Sequence, residues 1–323
     1  MMSKVRKKEI AVLIPCYNEE KTVGKVVRDC NKYLSNNDEY VVSIYVYDNN
    51  STDSTFEVAK NAGAVVRREF RQGKGNVIRT MFRDIEADCY LMIDGDDTYP
   101  LDEACRLCGE VLDGGVDMVV GDRLSSTYFK ENKRAFHGIG NKLVRFLINL
   151  LFKANIRDMM TGYRALSRDF VKTFPVLSKG FELEVEMTIF ALGHNFYIKE
   201  IPVQYRDRPE GSESKLNTYS DGFKVVKRII TLFEEYRPAM FFSLVSFLLL
   251  IISLVLGAPV FVDYFETGVV ERFPTLIFAG FVLVVAVLMM VCGIILEVVA
   301  KKHRQLFELN LNNLRINDWG KNG

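Results

Sequence analysis

Two long segments without a charged residue constrain this chain more than any other feature of its sequence. Residues 239–262 carry no charge in 24 positions, and residues 275–296 carry none in 22. A helix needs about 20 apolar residues to cross the hydrocarbon core of a bilayer, which is about 30 Å thick. A buried helical hairpin in a soluble protein is the alternative, but two such segments in succession are rare in soluble cores. The sequence therefore predicts two transmembrane helices, at about 239–262 and 275–298.

The charges around these segments predict their orientation. The connector 263–274 carries three carboxylates and a single arginine, whereas Arg237 precedes the first segment and KKHR at 301–304 follows the second. Lys and Arg are enriched on the cytoplasmic side of membrane helices. We therefore expect both outer flanks, and the N-terminal part of the chain, to lie in the cytoplasm. The chain would be a multi-pass protein of the cell membrane.

The part of the chain ahead of these segments has the pattern of a soluble α/β domain. The whole chain has 42 basic and 41 acidic residues, so its net charge does not indicate nucleic-acid binding. Short apolar runs alternate with stretches of helical spacing, which predicts a largely parallel sheet. The predicted strands are EIAVLIPCYN (9–18), VVSIYVYDNN (41–50), AVVRRE (64–69), CYLMIDGDD (89–97) and DMVVGDR (117–123). The predicted organisation is a domain at 1–220, an amphipathic helix at 221–236, two membrane helices within 237–300, and a cytoplasmic basic tail at 301–323.

The helix predicted at 221–236 has an apolar stripe with basic residues between its members. Lys224, Lys227 and Arg228 interleave with the apolar positions, and the segment leads directly into the first uncharged segment. This pattern is typical of a helix that lies on a bilayer surface. An ordinary helix that faces a protein core remains the alternative.

Three polar clusters follow predicted strands: PCYNEE, YDNNSTD and DGDD. In an open α/β sheet, ligands bind beyond the carboxyl ends of the strands, so three such clusters indicate one shared crevice. In DGDD, Asp94 and Asp96 could ligate a hard divalent cation, because Mg²⁺ is usually held by one or two carboxylates and substrate phosphate oxygens. A solvated turn is the alternative, with Asp97 as a turn residue or the cap of the next helix.

The order PxYNE, DNNSTD, GKGN and DGDD over residues 9–125 resembles the family 2 glycosyltransferases of the GT-A type. The stretches DMMTGYRALSR (158–168), GFELEVEM (180–187) and RPEGSESKL (208–216) are similar to those of the polyprenyl-phosphate glycosyltransferases. The resemblance implies a GT-A catalytic domain followed by a two-helix transmembrane hairpin. It also implies a nucleotide-sugar donor, a polyprenyl-phosphate acceptor and Mg²⁺ or Mn²⁺ as cofactor. Homo-oligomers occur in similar proteins.

The resemblance also implies roles for individual residues. Asp94 and Asp96 would ligate the metal and the donor diphosphate, and Asp96, Arg123, Arg208 and Lys215 would form the catalytic set. The expected nucleotide-sugar site consists of Pro15, Tyr17, Glu19, Asp48, Lys74 and Asp94. Arg123 and Arg134 would bind the acceptor phosphate, with His137 as an alternative to Arg134. Taken singly, Glu19 could be a first-turn helix charge, Asp48 a turn residue, and Arg123 and Arg208 surface charges.

Two departures from the family pattern concern this site. Asp48 is followed by Asn49, where many relatives have a second acid. The loop between Arg208 and Lys215 has one additional residue.

The residue types agree with this chemistry. The chain has only three histidines, none of them in a motif, and shows no nucleophilic triad. A lipid monophosphate is already anionic near pH 7, so it can attack a sugar carbon without the general base that a hydroxyl would need. Such an enzyme needs positioning and charge stabilisation, and a single displacement would invert the anomeric centre. The resemblance to the family, and not the residue types, favours UDP-glucose or UDP-N-acetylglucosamine as the donor. A processive polysaccharide synthase and a non-catalytic membrane scaffold are the alternatives; the QxxRW motif of the former is absent, and the only tryptophan is Trp319.

Overall fold

The structure is a computed structural model that describes residues 6–34, 39–124, 145–146, 148–152, 154–180, 182–209 and 218–322, without the side chains of 218–223 and 317–322. The chain forms two compact units, Met1–Ile229 and Ile230–Gly323. The predicted sites Arg134 and Lys215, and the alternative His137, lie outside the described residues.

The first unit is built on a seven-stranded mixed sheet, in the order β3-β2-β1-β4-β6-β5-β7. The strand β6 is antiparallel to both of its neighbours, and the other strand pairs are parallel. The strands are β1 (Lys8–Cys16), β2 (Tyr40–Asp48), β3 (Val65–Arg68), β4 (Cys89–Met92), β5 (Met118–Asp122), β6 (Arg164–Ser167) and β7 (Ile198–Pro202). The prediction of a largely parallel α/β sheet is confirmed.

Helices follow the strands as the sequence pattern predicts. Those of the first part of the chain are α1 (Val23–Leu34), α2 (Thr55–Asn61), α3 (Lys74–Asp84) and α4 (Ala104–Leu112). The later helices are α5 (Arg168–Thr173), α6 (Leu183–Gly193), α7 (Thr218–Tyr236), α8 (Pro238–Thr267) and α9 (Phe273–Asn322). The helix α1 shows why the pattern works: its buried side chains recur every three or four residues and pack on the sheet.

The strand order determines where a crevice can form. From β1 the chain proceeds to β2 and β3 on one side, and then returns to place β4 on the other side of β1. The carboxyl ends of parallel strands separate at such a switch point, which is where α/β proteins bind ligands. The register pairs Cys16 of β1 with Asp48 of β2, and Leu13 of β1 with Met92 of β4. The polar residues that follow these strands are thereby brought to the same edge of the sheet.

A continuous apolar core supports that edge. Val12 and Leu91, in the centres of β1 and β4, are completely buried and belong to the same core cluster as Val27 of α1. Burial of such a side chain is worth roughly 1.5–3 kcal/mol. This core therefore supports the strand ends that carry the polar residues of the crevice.

The second unit contains α8 and α9, which are both long and apolar enough to cross a membrane. The two helices pack on one another through serine hydroxyls: Ser246 Oγ donates to the carbonyl of Ala286 at 2.7 Å, and Ser253 Oγ donates to that of Ala279 at 2.9 Å. Large apolar side chains on the other faces are exposed. Both uncharged segments, 239–262 and 275–296, lie inside these helices. The two helices form a candidate transmembrane hairpin.

The helices extend further than the two uncharged segments. The helix α8 continues to Thr267 and ends at Gly268, whose φ of 71° is the left-handed conformation that glycine adopts readily. The helix α9 continues through KKHR to Asn322, so the predicted basic tail is helical as far as it is described. Lys, Arg, Glu and Leu, which are frequent after the second uncharged segment, are good helix formers. The prediction of a separate basic tail did not include this continuation of the helix.

Candidate active site

The turn after β4 brings Asp94 and Asp96 against the end of β1. A Cβ atom on Gly95 would lie 2.6 Å from Cys16 Sγ, so a side chain there would push the turn away from β1. A Cβ atom on Gly162 would lie 2.3 Å from Asp94 Oδ2, so the segment before β6 also needs a glycine to approach the carboxylate. Thr22 Oγ1 donates to the carbonyl of Gly95 at 2.7 Å and ties the turn to the start of α1.

Lys74 connects two carboxylates in the crevice. Its Nζ lies 2.6 Å from Asp94 Oδ1 and 2.7 Å from Glu184 Oε1. Burial lowers the pKa of Lys74, but the two carboxylates more than offset this and raise its pKa. Glu184 was not among the predicted site residues. The only sequence signal for it was the alternation of three acids in ELEVE at 182–186, which does not indicate which of them faces the crevice.

Asp96 is the more buried of the two acids. Its side chain is 8% exposed and its Oδ2 lies 2.6 Å from a terminal nitrogen of Arg208, whereas its Oδ1 accepts from Thr98 Oγ1 at 2.6 Å. Burial raises the pKa of Asp96, and the nearby charge of Asp94 raises it further. Arg208 also approaches Glu19, at 3.8 Å. The structure therefore brings together three predicted residues, Glu19, Asp96 and Arg208, around buried negative charge.

The GKG turn holds Lys74 in this position. Gly73 has a φ of 124°, which favours glycine, and a Cβ atom on Gly75 would lie 1.9 Å from the carbonyl oxygen of Ser178. The backbone N–H of Gly75 donates to the carbonyl of Lys179 at 3.0 Å. Both glycines are needed for close packing of the turn on residues 178–179, and Lys74 between them is directed to the acids.

Asn49 explains one departure from the family pattern. Its side-chain nitrogen donates to the carbonyls of Glu69 and Arg71, both at 2.8 Å, and its Oδ1 accepts from the N–H of Gly73 at 2.7 Å. A carboxylate could not make the two donations. Asn49 therefore connects the end of β2 to the GKG turn. Its neighbour Asp48 is buried and accepts from the N–H of Ser51 at 3.1 Å.

Arg123 follows β5 and is largely enclosed. Its Nε lies 2.9 Å from Asp158 Oδ2, and its guanidinium donates to Tyr99 Oη at 3.2 Å. The ring of Tyr205 lies 5.7 Å from its guanidinium carbon. With a side chain 13% exposed, Arg123 is not the surface charge that the sequence left open as an alternative.

Two further predicted residues, Pro15 and Tyr17, lie on the same edge. Pro15 pairs in register with Tyr47 of β2, and Tyr17 follows β1 with 37% of its surface exposed. Asp97 has a φ of 58° and pairs with Lys25 at 2.6 Å. It is thus a turn residue whose carboxylate pairs with α1, in agreement with the alternative given for it.

The carboxylates also bear on metal binding. Among the described residues there is no group of three or more His, Cys, Asp or Glu side chains arranged to hold a metal ion. Asp94 and Asp96 are a pair of hard oxygen donors that are each compensated by a cation. Mg²⁺ and Mn²⁺ commonly take one or two carboxylates and complete their coordination with water and substrate phosphate. The residues present therefore fit a metal held jointly with a phosphate ligand.

The mixed sheet, with β6 antiparallel between β4 and β5 and an acid turn after β4, has the architecture of a GT-A domain. The family model described as glycosyl transferase family 2 matches residues 11–174, and the chain belongs to this family. The chain is therefore a glycosyltransferase.

Two relatives and one solved structure illustrate this relationship. Glycosyltransferase AglJ of Haloferax volcanii is 30% identical over 74% of this chain and 76% of its own length. The dolichyl-phosphate hexose transferase of the same organism is 28% identical over 71% of this chain and 96% of its length. The fold resembles that of Mycobacterium tuberculosis glucosyl-3-phosphoglycerate synthase, whose structure was solved in complex with Mn²⁺, UDP-glucose and phosphoglyceric acid. The TM-score is 0.55, and the sequences are 22% identical over 70% of this chain and 80% of that one.

Proposed function

We propose that the chain transfers a single sugar from a nucleotide-sugar to a polyprenyl phosphate, with inversion at the sugar carbon. The observation that carries this proposal is the arrangement at the end of β4, where Asp94 and Asp96 lie against Lys74 and Arg208. A mixed set of buried carboxylates and cations suits a diphosphate that departs while a phosphate attacks. The names of relatives that act on dolichyl phosphate support the same acceptor class.

The donor would bind along the ends of β1, β2 and β4. Pro15, Tyr17, Glu19 and Asp48 would contact the nucleoside, and Lys74 would lie beside the phosphates. Asp94 and Asp96 would hold Mg²⁺ or Mn²⁺, which when bound would supply positive charge to the departing diphosphate. UDP-glucose or UDP-N-acetylglucosamine is the favoured donor, in line with the UDP-glucose complex of the structural relative.

The acceptor would approach from the side of β5. Arg123 and Arg134 would bind its phosphate, because the guanidinium fork matches phosphate oxygens. A phosphate oxygen would attack the anomeric carbon and form the new carbon–oxygen bond, while the bond to the donor diphosphate breaks. Arg208 and Lys215 would stabilise the charge that develops on the leaving group. No proton needs to leave the acceptor, which fits a chain with three histidines.

The membrane location follows from the same proposal. With α8 and α9 in the bilayer and the basic flanks in the cytoplasm, the catalytic unit would act on the cytoplasmic face. The product would be a lipid-linked single sugar for glycan or glycoprotein assembly. Homo-oligomers remain a prediction from similar proteins.

Transfer from radiolabelled UDP-glucose, UDP-N-acetylglucosamine and GDP-mannose to polyprenyl phosphate tests the proposal. We expect one donor to label a single-sugar lipid, chelation by EDTA to abolish the transfer, and Mg²⁺ or Mn²⁺ to restore it. A labelled polymer in place of the lipid product would instead support the processive synthase. Absence of transfer from every donor, with correctly folded protein and metal present, would contradict the proposal.

A further inference from the structure

A short segment, residues 203–208, connects the end of β7 to Arg208. Along it Val203 is buried, Gln204 is exposed and Tyr205 is partly buried. This alternation is typical of extended backbone, in which successive side chains point to opposite sides. The ring of Tyr205 therefore lies on the same side of the segment as the buried Val203.

Backbone hydrogen bonds hold this segment at two places. The N–H of Val203 donates to the carbonyl of Asp122, the last residue of β5, at 3.1 Å. The N–H of Arg206 donates to the carbonyl of Thr98, which follows the acid turn after β4, at 2.9 Å. The segment thus joins the end of β5 to the acid turn, and these two bonds do not involve the ring of Tyr205.

The ring of Tyr205 contacts the two side chains that meet at the end of β5. The guanidinium carbon of Arg123 lies 5.7 Å from the ring centroid, within the distance of about 6 Å at which a cation is attracted to an aromatic face. Tyr99 packs edge-on, with the ring centroids 5.4 Å apart, and its Oη accepts from Arg123 at 3.2 Å. Both tyrosines therefore contact the same guanidinium, one through its ring and the other through its hydroxyl.

These contacts restrain a side chain that has many rotamers. Asp158 Oδ2 lies 2.9 Å from Arg123 Nε, and Tyr99 holds a terminal nitrogen. The ring of Tyr205 adds a contact at the carbon from which all three nitrogens extend. Because the side chain of Arg123 is only 13% exposed, water weakens this contact less than it would at the surface.

We propose that Tyr205 is a positioning residue that holds the guanidinium of Arg123 ready for the phosphate of the lipid acceptor. The inference rests on the role proposed above for Arg123. A guanidinium that is already ordered binds phosphate at a smaller entropic cost, so loss of the ring weakens acceptor binding. Donor binding is unaffected, because the backbone bonds of the segment keep Arg208 at 2.6 Å from Asp96.

Calorimetric titration of the full-length protein in detergent tests this inference. The probe is farnesyl phosphate, in the absence of any nucleotide-sugar, and farnesol is the control for the lipid chain. We expect Tyr205→Leu to weaken farnesyl phosphate binding about tenfold, as for a largely desolvated cation–π contact. Tyr205→Phe keeps the aromatic face and should bind within about twofold of the wild type.

Tyr197→Leu is the matched control for Tyr205→Leu. Tyr197 precedes β7, whereas Tyr205 follows it, so the two tyrosines lie at opposite ends of that strand. Tyr197 is 58% exposed, and its variant should bind farnesyl phosphate as the wild type does.

A double-mutant cycle and transfer kinetics separate positioning from other roles. In an Arg123→Gln background, Tyr205→Leu should change farnesyl phosphate affinity by less than about twofold, because the ring acts through Arg123. In transfer assays, Tyr205→Leu should raise the KM for the lipid about tenfold and leave the KM for the nucleotide-sugar within about twofold.

Four results would overturn the proposal. They are absence of farnesyl phosphate binding by the wild type, wild-type affinity in Tyr205→Leu, an equal loss in Tyr205→Phe, and a full further loss in the Arg123→Gln background. The last would mean that Tyr205 contacts the lipid directly. An equal rise in both KM values would assign Tyr205 a structural role and would also contradict the proposal. A wild type that binds farnesyl phosphate but transfers no sugar would contradict the proposed function alone, because the binding comparison involves no transfer.

Discussion

The two units of the chain differ in which side chains they bury. In Met1–Ile229, large apolar side chains are buried, together with several charged side chains. In Ile230–Gly323, large apolar side chains are exposed along two helices. Asp96 and Glu184 exemplify the first unit, and Val287, 55% exposed, exemplifies the second. Both arrangements are costly in water, because buried charge loses hydration and exposed apolar surface orders solvent. The first arrangement is stable where ligands or ion pairs compensate the charge, and the second where lipid replaces water.

Asp96→Asn should produce the largest effect on the catalytic side of this comparison. The substitution keeps the shape of the side chain but removes the charge that Arg208 compensates and that a metal would need. We expect kcat for sugar transfer to fall by about 10³-fold, near the upper end for loss of one electrostatic group. The measurement is radiolabelled transfer with the active donor.

Asp97→Asn is the matched control for this variant. Asp97 is an adjacent acid with a φ of 58°, a conformation that asparagine tolerates, and its partner Lys25 is 44% exposed. Its activity should stay within about twofold of the wild type, since exposed ion pairs contribute little. Similar losses in both variants would mean that the acid cluster acts only through its total charge.

Lys74→Met tests whether the buried charges depend on one another. The substitution leaves Asp94 and Glu184 without their shared cation, and Glu184 is only 4% exposed. We expect the free energy of unfolding of the catalytic unit to fall by about 3 kcal/mol, as for other broken buried pairs. The measurement is chemical denaturation followed by a probe of that unit, together with binding of UDP.

The double variant Lys74→Met, Glu184→Gln and the single variant Lys25→Met complete this experiment. Neutralising Glu184 should recover part of the lost stability, because one of the two uncompensated charges is gone. Lys25→Met breaks an exposed pair and should cost less than about 1 kcal/mol. If Lys74→Met cost no more than Lys25→Met, the buried pairs would not be coupled as the distances suggest.

Val287→Arg tests the other side of the comparison. An arginine near the centre of a membrane helix costs about 2.5–3.5 kcal/mol on insertion scales. We expect the variant to be recovered in the membrane fraction after carbonate washing in smaller yield than the wild type. Val65→Arg is its control, because Val65 is 48% exposed on the outermost strand of the sheet. Unchanged membrane recovery of Val287→Arg would contradict a lipid-facing position.

The sequence predicted the parts of the fold that depend on local patterns. Asp94 follows a buried strand as expected, and both uncharged segments lie in helices, since periodicity and length are local signals. The antiparallel position of β6 between β4 and β5 depends on contacts between residues far apart in the chain, such as Leu91 with Ala165. Glu184 and Asn49 were missed for the same reason: their partners, Lys74 and Gly73, are distant in sequence.

Glu69→Gln asks whether every buried charge of the first unit serves catalysis, and it should have the smallest effect. Glu69 is 5% exposed and accepts hydrogen bonds from Arg71, at 2.9 Å, and from Thr80. The hydrogen bonds from Arg71 lower the pKa of Glu69 to about 2, against the opposing effect of burial. We therefore expect the substitution to lower the free energy of unfolding by about 2 kcal/mol at pH 7, with little change in kcat.

The pH dependence gives this prediction its sign. An unfolded glutamate has a pKa of about 4.3, so the stabilisation from Glu69 is complete above that pH and is lost as the pH falls towards about 2. The difference in unfolding temperature between wild type and Glu69→Gln should therefore be constant from pH 7 to pH 5 and shrink between pH 4 and pH 2.5. A difference that stayed constant down to pH 2.5 would show that Glu69 stabilises the end of β3 through its shape and not its charge. In that case, burial of a carboxylate in this unit would not by itself show that its charge contributes to stability or activity. The prediction that the charge of Asp96 is needed for catalysis would then depend on its contact with Arg208 alone.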